Sequence, residues 1–104
     1  MFEDAVKAVR KSKLIYVVAH INPDGDAIGS TYAIYFALRE LGKDVHVIMP
    51  SYSHVFDFLP GIENRVDSIK EDECDLLICT DASDHTRLAL SEEDFQKAKK
   101  VIMI

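Results

Sequence analysis

Four short segments of this chain carry apolar side chains toward both faces, and that pattern limits the fold more than any other feature. They are residues 14–19 (L-I-Y-V-V-A), 44–49 (D-V-H-V-I-M), 75–80 (D-L-L-I-C-T) and 101–104 (V-I-M-I). Each is too short for a core helix, and strands covered on both faces belong to parallel sheets. Between them lie helical patterns. Phe2, Val6 and Val9 recur at helical spacing up to Lys11, and residues 27–41 form a four-turn helix stopped by Gly42. Residues 91–99 have Ser91 as N-cap, acids in the first turn and lysines in the last. Strands alternating with helices predict an α/β fold: a mostly parallel sheet with helices on both faces. Pro50 breaks the second strand, and residues 51–64 read as a turn-rich connection holding Tyr52, Phe56 and Phe58.

At 104 residues the chain makes one domain at most. Its net charge is 12 − 18 = −6, which excludes a broad electrostatic attraction to nucleic acid. A phosphate-bearing substrate would have to be gripped locally, by metal ions or a few basic groups. The apolar runs are too short to cross a bilayer, and Phe2-Glu3-Asp4 lacks the basic-then-apolar order of a signal peptide. Cys74 and Cys79 are spaced for neither a redox pair nor a zinc knuckle. The expected setting is reducing and cytoplasmic.

In open parallel sheets ligands gather beyond the carboxyl ends of the strands, and there this sequence concentrates its chemistry. The first strand runs into H-I-N-P-D-G-D-A-I-G-S, which packs His20, Asp24 and Asp26 onto one strand-to-helix turn. One imidazole and two carboxylates that close together suit a divalent cation. Asp81 directly follows the third strand, so two motifs distant in sequence are expected to meet at one sheet edge. The blander account makes Asp26 the N-cap of a helix starting at Ala27, after an ordinary Pro23-Asp24-Gly25 turn. Other ligand loops fail by position. A P-loop needs Lys before Ser30, an EF-hand counted from Asn22 needs Gly and Glu where Ala27 and Ala33 stand, and a dinucleotide fingerprint needs more glycine than Gly25 and Gly29.

Weaker candidates surround this pair. Ser30 and the first N–H groups of the helix at Ala27 suit a phosphate or a ligating carboxylate. Asp84 and His85 are most simply a solvated loop, whereas Arg87 is as well suited to orienting a neighbouring carboxylate. His46 alternates with valines and is expected to face solvent or a polar neighbour, and His54 to lie on the surface. Tyr52, Phe56 and Phe58 are able to stack on a base, but core packing is the simpler expectation. Tyr32, Tyr35 and Phe36 read as a core or helix-packing stripe.

H-I-N-P-D-G-D-A-I-G-S resembles the first motif of the DHH phosphoesterase family, and L-L-I-C-T-D-A-S-D-H-T-R-L resembles its second. The layout between them, including F-L-P-G-I-E, is similar to the branch of oligoribonucleases and phosphoadenosine-phosphate phosphatases, and the likeness covers essentially the whole chain. It implies two Mn²⁺ ions, with Mg²⁺ or Co²⁺ compatible with the same ligand types. His20 and Asp24 would hold one ion, Asp26 the other, and Asp81 would bridge both. Two cations about 3.5–4 Å apart activate water toward phosphorus and neutralise charge on the phosphoryl oxygens.

The family's Asp-His-His motif is expected just beyond residues 101–104, followed by a later metal-binding Asp and a C-terminal substrate domain. Residues 1–104 are accordingly expected to be the N-terminal portion of a DHH domain, supplying half of the metal site and inactive alone. The implied substrates are short oligoribonucleotides or adenosine 3′,5′-bisphosphate. Other branches of the resemblance are cyclic-dinucleotide phosphodiesterase, pyrophosphatase and single-strand DNA exonuclease. A function of a different class is a non-catalytic metal-binding or dimerising module, with the edge strand at 101–104 recruiting a second copy into a homodimer.

Overall fold

The structure, a computed structural model, describes residues 2–19, 25–50, 52–80 and 90–104. In chain order the elements are α1 (Phe2–Lys11), β1 (Leu14–Val18), α2 (Gly25–Glu40), β2 (Asp44–Ile48), β3 (Leu76–Cys79), α3 (Glu92–Phe95) and β4 (Val101–Met103). The four strands form one sheet in the order β2-β1-β3-β4, every pair parallel. The expected α/β architecture is therefore present, with β1 and β3 in the centre.

Successive residues of each strand serve opposite cores, as the pleat requires. Ile15, Val17, Val47, Leu76 and Ile78 pack under α2, with Ala8 and Val9 of α1 beside them. Tyr16, Val18, Ile48, Leu77 and Cys79 face the other way, toward Ile69, Phe95 and Ala98. This two-sided burial is why the strands read as near-continuous apolar runs. The long helices α1 and α2 share one face, and the single turn of α3 with its flanking segments covers the other. Among the described residues no helix is long and apolar enough to cross a membrane.

Helix α2 ends as its sequence dictates. Gly42 takes φ +79°. Its N–H bonds the Arg39 carbonyl at 2.9 Å, and the Lys43 N–H bonds the Leu38 carbonyl at 3.1 Å, the paired closure of a Schellman stop. The other end differs from expectation. The helix takes in Gly25 and Asp26, so Asp26 is a first-turn residue and not the N-cap. A carboxylate there is favoured by the helix dipole. A Cβ on Gly25 would lie 3.4 Å from Phe56 Cε1, so the aromatic connection reaches back to the start of this helix.

That connection contains two 3₁₀ turns, His54–Phe56 and Ile62–Asn64. Tyr52, Phe56 and Leu59 pack against the first core, while Phe58 is 76% exposed. Beyond it, the Met49 N–H bonds the Val66 carbonyl at 3.0 Å, and the Val66 N–H bonds the Val47 carbonyl at 2.8 Å. These two bonds pair part of the outer edge of β2, which would otherwise be open to other chains.

The segment expected as a helix over 91–99 is helical only at Glu92–Phe95. Ser91 caps it, its Oγ accepting from the Asp94 N–H at 3.2 Å. The chain then leaves the helix because its backbone is needed elsewhere. The Cys74 N–H donates to the Lys97 carbonyl at 3.1 Å and the Lys99 N–H to the Cys74 carbonyl at 3.0 Å. Those bonds extend the β3–β4 pairing toward Cys74. Asp94 fixes the turn from below, accepting from the Ile69 N–H at 3.1 Å and pairing with Lys97 Nζ at 3.0 Å. Next to Cys74, Asp75 accepts the Lys13 and Leu14 N–H groups at 2.9 and 3.0 Å. The Leu14 and then the Lys13 N–H hold its carboxyl below the usual carboxylate range, so an ionised Asp75 pins the start of β1 to β3.

Candidate metal centre

Because all four strands are parallel, their carboxyl ends share one edge. Helix α2 follows β1 from that edge, so Ala19 and the start of α2 lie there, as does Thr80 immediately after Cys79. His20, Asp24, Asp81, Asp84, His85 and Arg87 lie outside the described residues. Of the residues singled out from sequence for this site, the structure describes Asp26 and Ser30. Both are exposed, one helical turn apart at the start of α2. With Ile34, Thr80 and Ile104 they line an open pocket of about 400 Å³, within the range of about 300–1,000 Å³ usual for small-molecule sites.

Thr80 is the residue immediately before Asp81, so the start of α2 and the end of β3 border the same pocket. Two contacts hold them there. Thr80 continues the β1–β3 pairing, its N–H donating to the Val18 carbonyl at 3.0 Å. Its hydroxyl lies 2.9 Å from that of Thr31 on α2, and Thr31 Oγ1 is 2.8 Å from the Ala27 carbonyl. Both threonines are buried. Neither has a motif of its own. Their only trace is a hydroxyl residue within the otherwise apolar inner stripe of α2 and another closing an apolar strand.

Among the described residues no group of three or more His, Cys, Asp or Glu gathers around one point. Asp26 is the described member of the donor set, and it has no ion-pair partner among the described residues. An exposed carboxylate bordering a pocket at this edge fits a divalent cation of hard or borderline character. The cysteines do not belong to the set. Burial pushes the Cys79 thiol up to about 11. Burial, followed by the negative charge of Asp75, does the same for Cys74. Both stay neutral thiols inside the second core.

The remaining histidines stand apart from the pocket. His46 sits on β2, its Nε2 2.9 Å from Asp44 and its ring 5.1 Å from that of Tyr16, the polar neighbour expected for it. His54 is largely exposed and lies 3.4 Å from Asp57. Tyr52 is covered by the Arg65 guanidinium at 4.6 Å and donates its hydroxyl hydrogen to Asp57, so its ring face is already occupied.

Comparison with known proteins agrees with this fold. The family model for the DHH family, N-terminal domain, matches residues 14–104. The bifunctional oligoribonuclease and PAP phosphatase NrnA of Thermus thermophilus is 39% identical over 57 residues, which are 55% of this chain and 17% of that protein. An exopolyphosphatase-related protein from Bacteroides fragilis superposes with a TM-score of 0.86 at 27% identity, over 98% of this chain and 33% of its own. The chain thus spans a third or less of the length of these relatives.

Proposed function

This chain belongs to the DHH family, and from that membership we propose that residues 1–104 are the N-terminal portion of the catalytic domain of a two-metal phosphoesterase. His20 and Asp24 hold one ion, Asp26 the second, and Asp81 bridges them. The ions are manganese, with Mg²⁺ or Co²⁺ as substitutes. The observation that supports this most is the shared pocket of Asp26 and Thr80, which sets the first motif's helix beside the strand that leads into Asp81. Bound divalent ions supply an activated water and charge neutralisation at phosphorus.

The chain's own groups then bind and orient. Ser30 and the first N–H groups of α2 offer donors to phosphate oxygens at the positive end of the helix. Arg87 and His85 support the ligating carboxylates or touch the phosphate. Since residues 1–104 carry a net charge of −6 and give no long-range attraction, this part of the protein meets phosphate through local contacts. The substrate class is a short oligoribonucleotide or adenosine 3′,5′-bisphosphate, in line with the oligoribonuclease and PAP phosphatase named for the Thermus relative. A second reading, a dimerising module, draws on β4, which is an edge strand among the described residues.

The assay is release of mononucleotide from a short oligoribonucleotide, and of inorganic phosphate from adenosine 3′,5′-bisphosphate, by the intact protein. Activity is expected to vanish on chelation and to return with Mn²⁺. Turnover that survives chelation, or none of either substrate with any divalent ion, contradicts the proposal.

A further inference from the structure

We propose that Thr31 and Thr80 are positioning residues, a buried hydroxyl chain that sets the spacing between the two halves of the metal site. This rests on the metal-centre reading above. Each threonine has one hydroxyl hydrogen, and the distances decide where it goes. Thr31 donates to the Ala27 carbonyl at 2.8 Å. Its oxygen is then the acceptor in the 2.9 Å contact, and Thr80 is the donor. The alternative acceptor for Thr80, the Val18 carbonyl, is 3.4 Å away and already takes the Thr80 N–H at 3.0 Å. The order is therefore Thr80 to Thr31 to the Ala27 carbonyl.

The ends of that chain are what give it a role. Thr80 is the neighbour of Asp81, and Ala27 is the neighbour of Asp26. A hydrogen-bonded path through two side chains, 0% and 2% exposed, joins α2 at Ala27 to the end of β3 at Thr80, each next in sequence to a proposed ligand. Apolar packing holds α2 against the sheet but is non-directional. Hydrogen bonds fix both distance and direction, and metal ligands need that precision from the groups behind them. Valine matches threonine in shape without the hydroxyl. Replacing one threonine leaves the other hydroxyl buried with a lost partner, whereas replacing both removes the unsatisfied group.

The test separates positioning from stability. Mn²⁺ affinity of the intact protein is measured by calorimetry, with thermal unfolding of the metal-free form alongside, for wild type, Thr31→Ser, Thr31→Val and the Thr31→Val/Thr80→Val pair. Thr31→Ser is expected to bind as wild type. Thr31→Val is expected to lose both stability and affinity. The double variant is expected to regain stability yet bind Mn²⁺ about tenfold or more weakly, with an altered electron paramagnetic resonance spectrum of the bound ion. Wild-type affinity and spectrum in the double variant would overturn the positioning role while leaving the metal centre intact. Absence of Mn²⁺ binding by wild type would overturn the metal centre and this inference together.

Discussion

Asp81→Ala is expected to abolish metal-dependent hydrolysis while the domain stays folded. In the proposed arrangement Asp81 is the only ligand shared by both ions, so its loss disturbs two coordination spheres at once. Groups that merely support metal ligands change affinity or activity by about 10–100-fold when removed, so loss of a bridging ligand should exceed about 100-fold. The fold has little reason to respond. Position 81 follows the β1–β3 ladder, whose last bond among the described residues, Thr80 N–H to Val18, does not involve it. Relief of repulsion among clustered carboxylates would offset any lost contact in the metal-free protein. The check is steady-state hydrolysis with saturating Mn²⁺, paired with far-ultraviolet circular dichroism and thermal unfolding. Retained turnover would remove Asp81 from the bridging role, and a collapsed spectrum would make it a structural residue.

Ile28→Ala is expected to be the most costly single change near the site without touching its chemistry. Ile28 is 0% exposed, on the second turn of α2, where it packs in the core between this helix and the sheet. Truncation there removes buried methyl groups and leaves a cavity that the rigid sheet cannot fill. The expected loss is about 2–5 kcal/mol, against total stabilities of about 5–15 kcal/mol for domains. For a domain of about 150–250 residues that corresponds to a fall in Tm of about 4–20 °C. Phe58→Ala is the contrast: its ring is 76% exposed, and the expected change is within about 0.5 kcal/mol. Urea unfolding of both variants decides the point. A cost for Ile28→Ala no larger than for Phe58→Ala would mean that α2 is not anchored through this side chain.

Much of this architecture was legible in the sequence because two-sided burial writes itself as continuous apolar runs. Leu14 to Val18 and Leu76 to Cys79 serve two cores at once, and the stop at Gly42 follows from its left-handed conformation. What escaped depended on partners remote in sequence. The helix expected over 91–99 is cut short because Lys97 and Lys99 supply backbone bonds to Cys74, a demand that no local pattern encodes. The start of α2 was set two residues late, since Gly25 and Asp26 look like turn residues until Phe56 is seen packing against that turn. The same applies to the site. Its proposed position at the carboxyl edge follows from the strand pattern, and Asp26 and Ser30 are proposed from their motif. Thr31 and Thr80 have no local signature, because their significance lies in facing one another across 49 positions.

The most direct test of the proposed centre is a calorimetric titration of Mn²⁺ into the metal-free intact protein, beside His20→Ala, Asp26→Asn and Asp81→Ala. Saturable binding by wild type is predicted, with sharply weakened or absent binding in each variant, since residues from both motifs would be contributing to one site. Wild-type heats no larger than dilution, or variants that bind as wild type does, would contradict it.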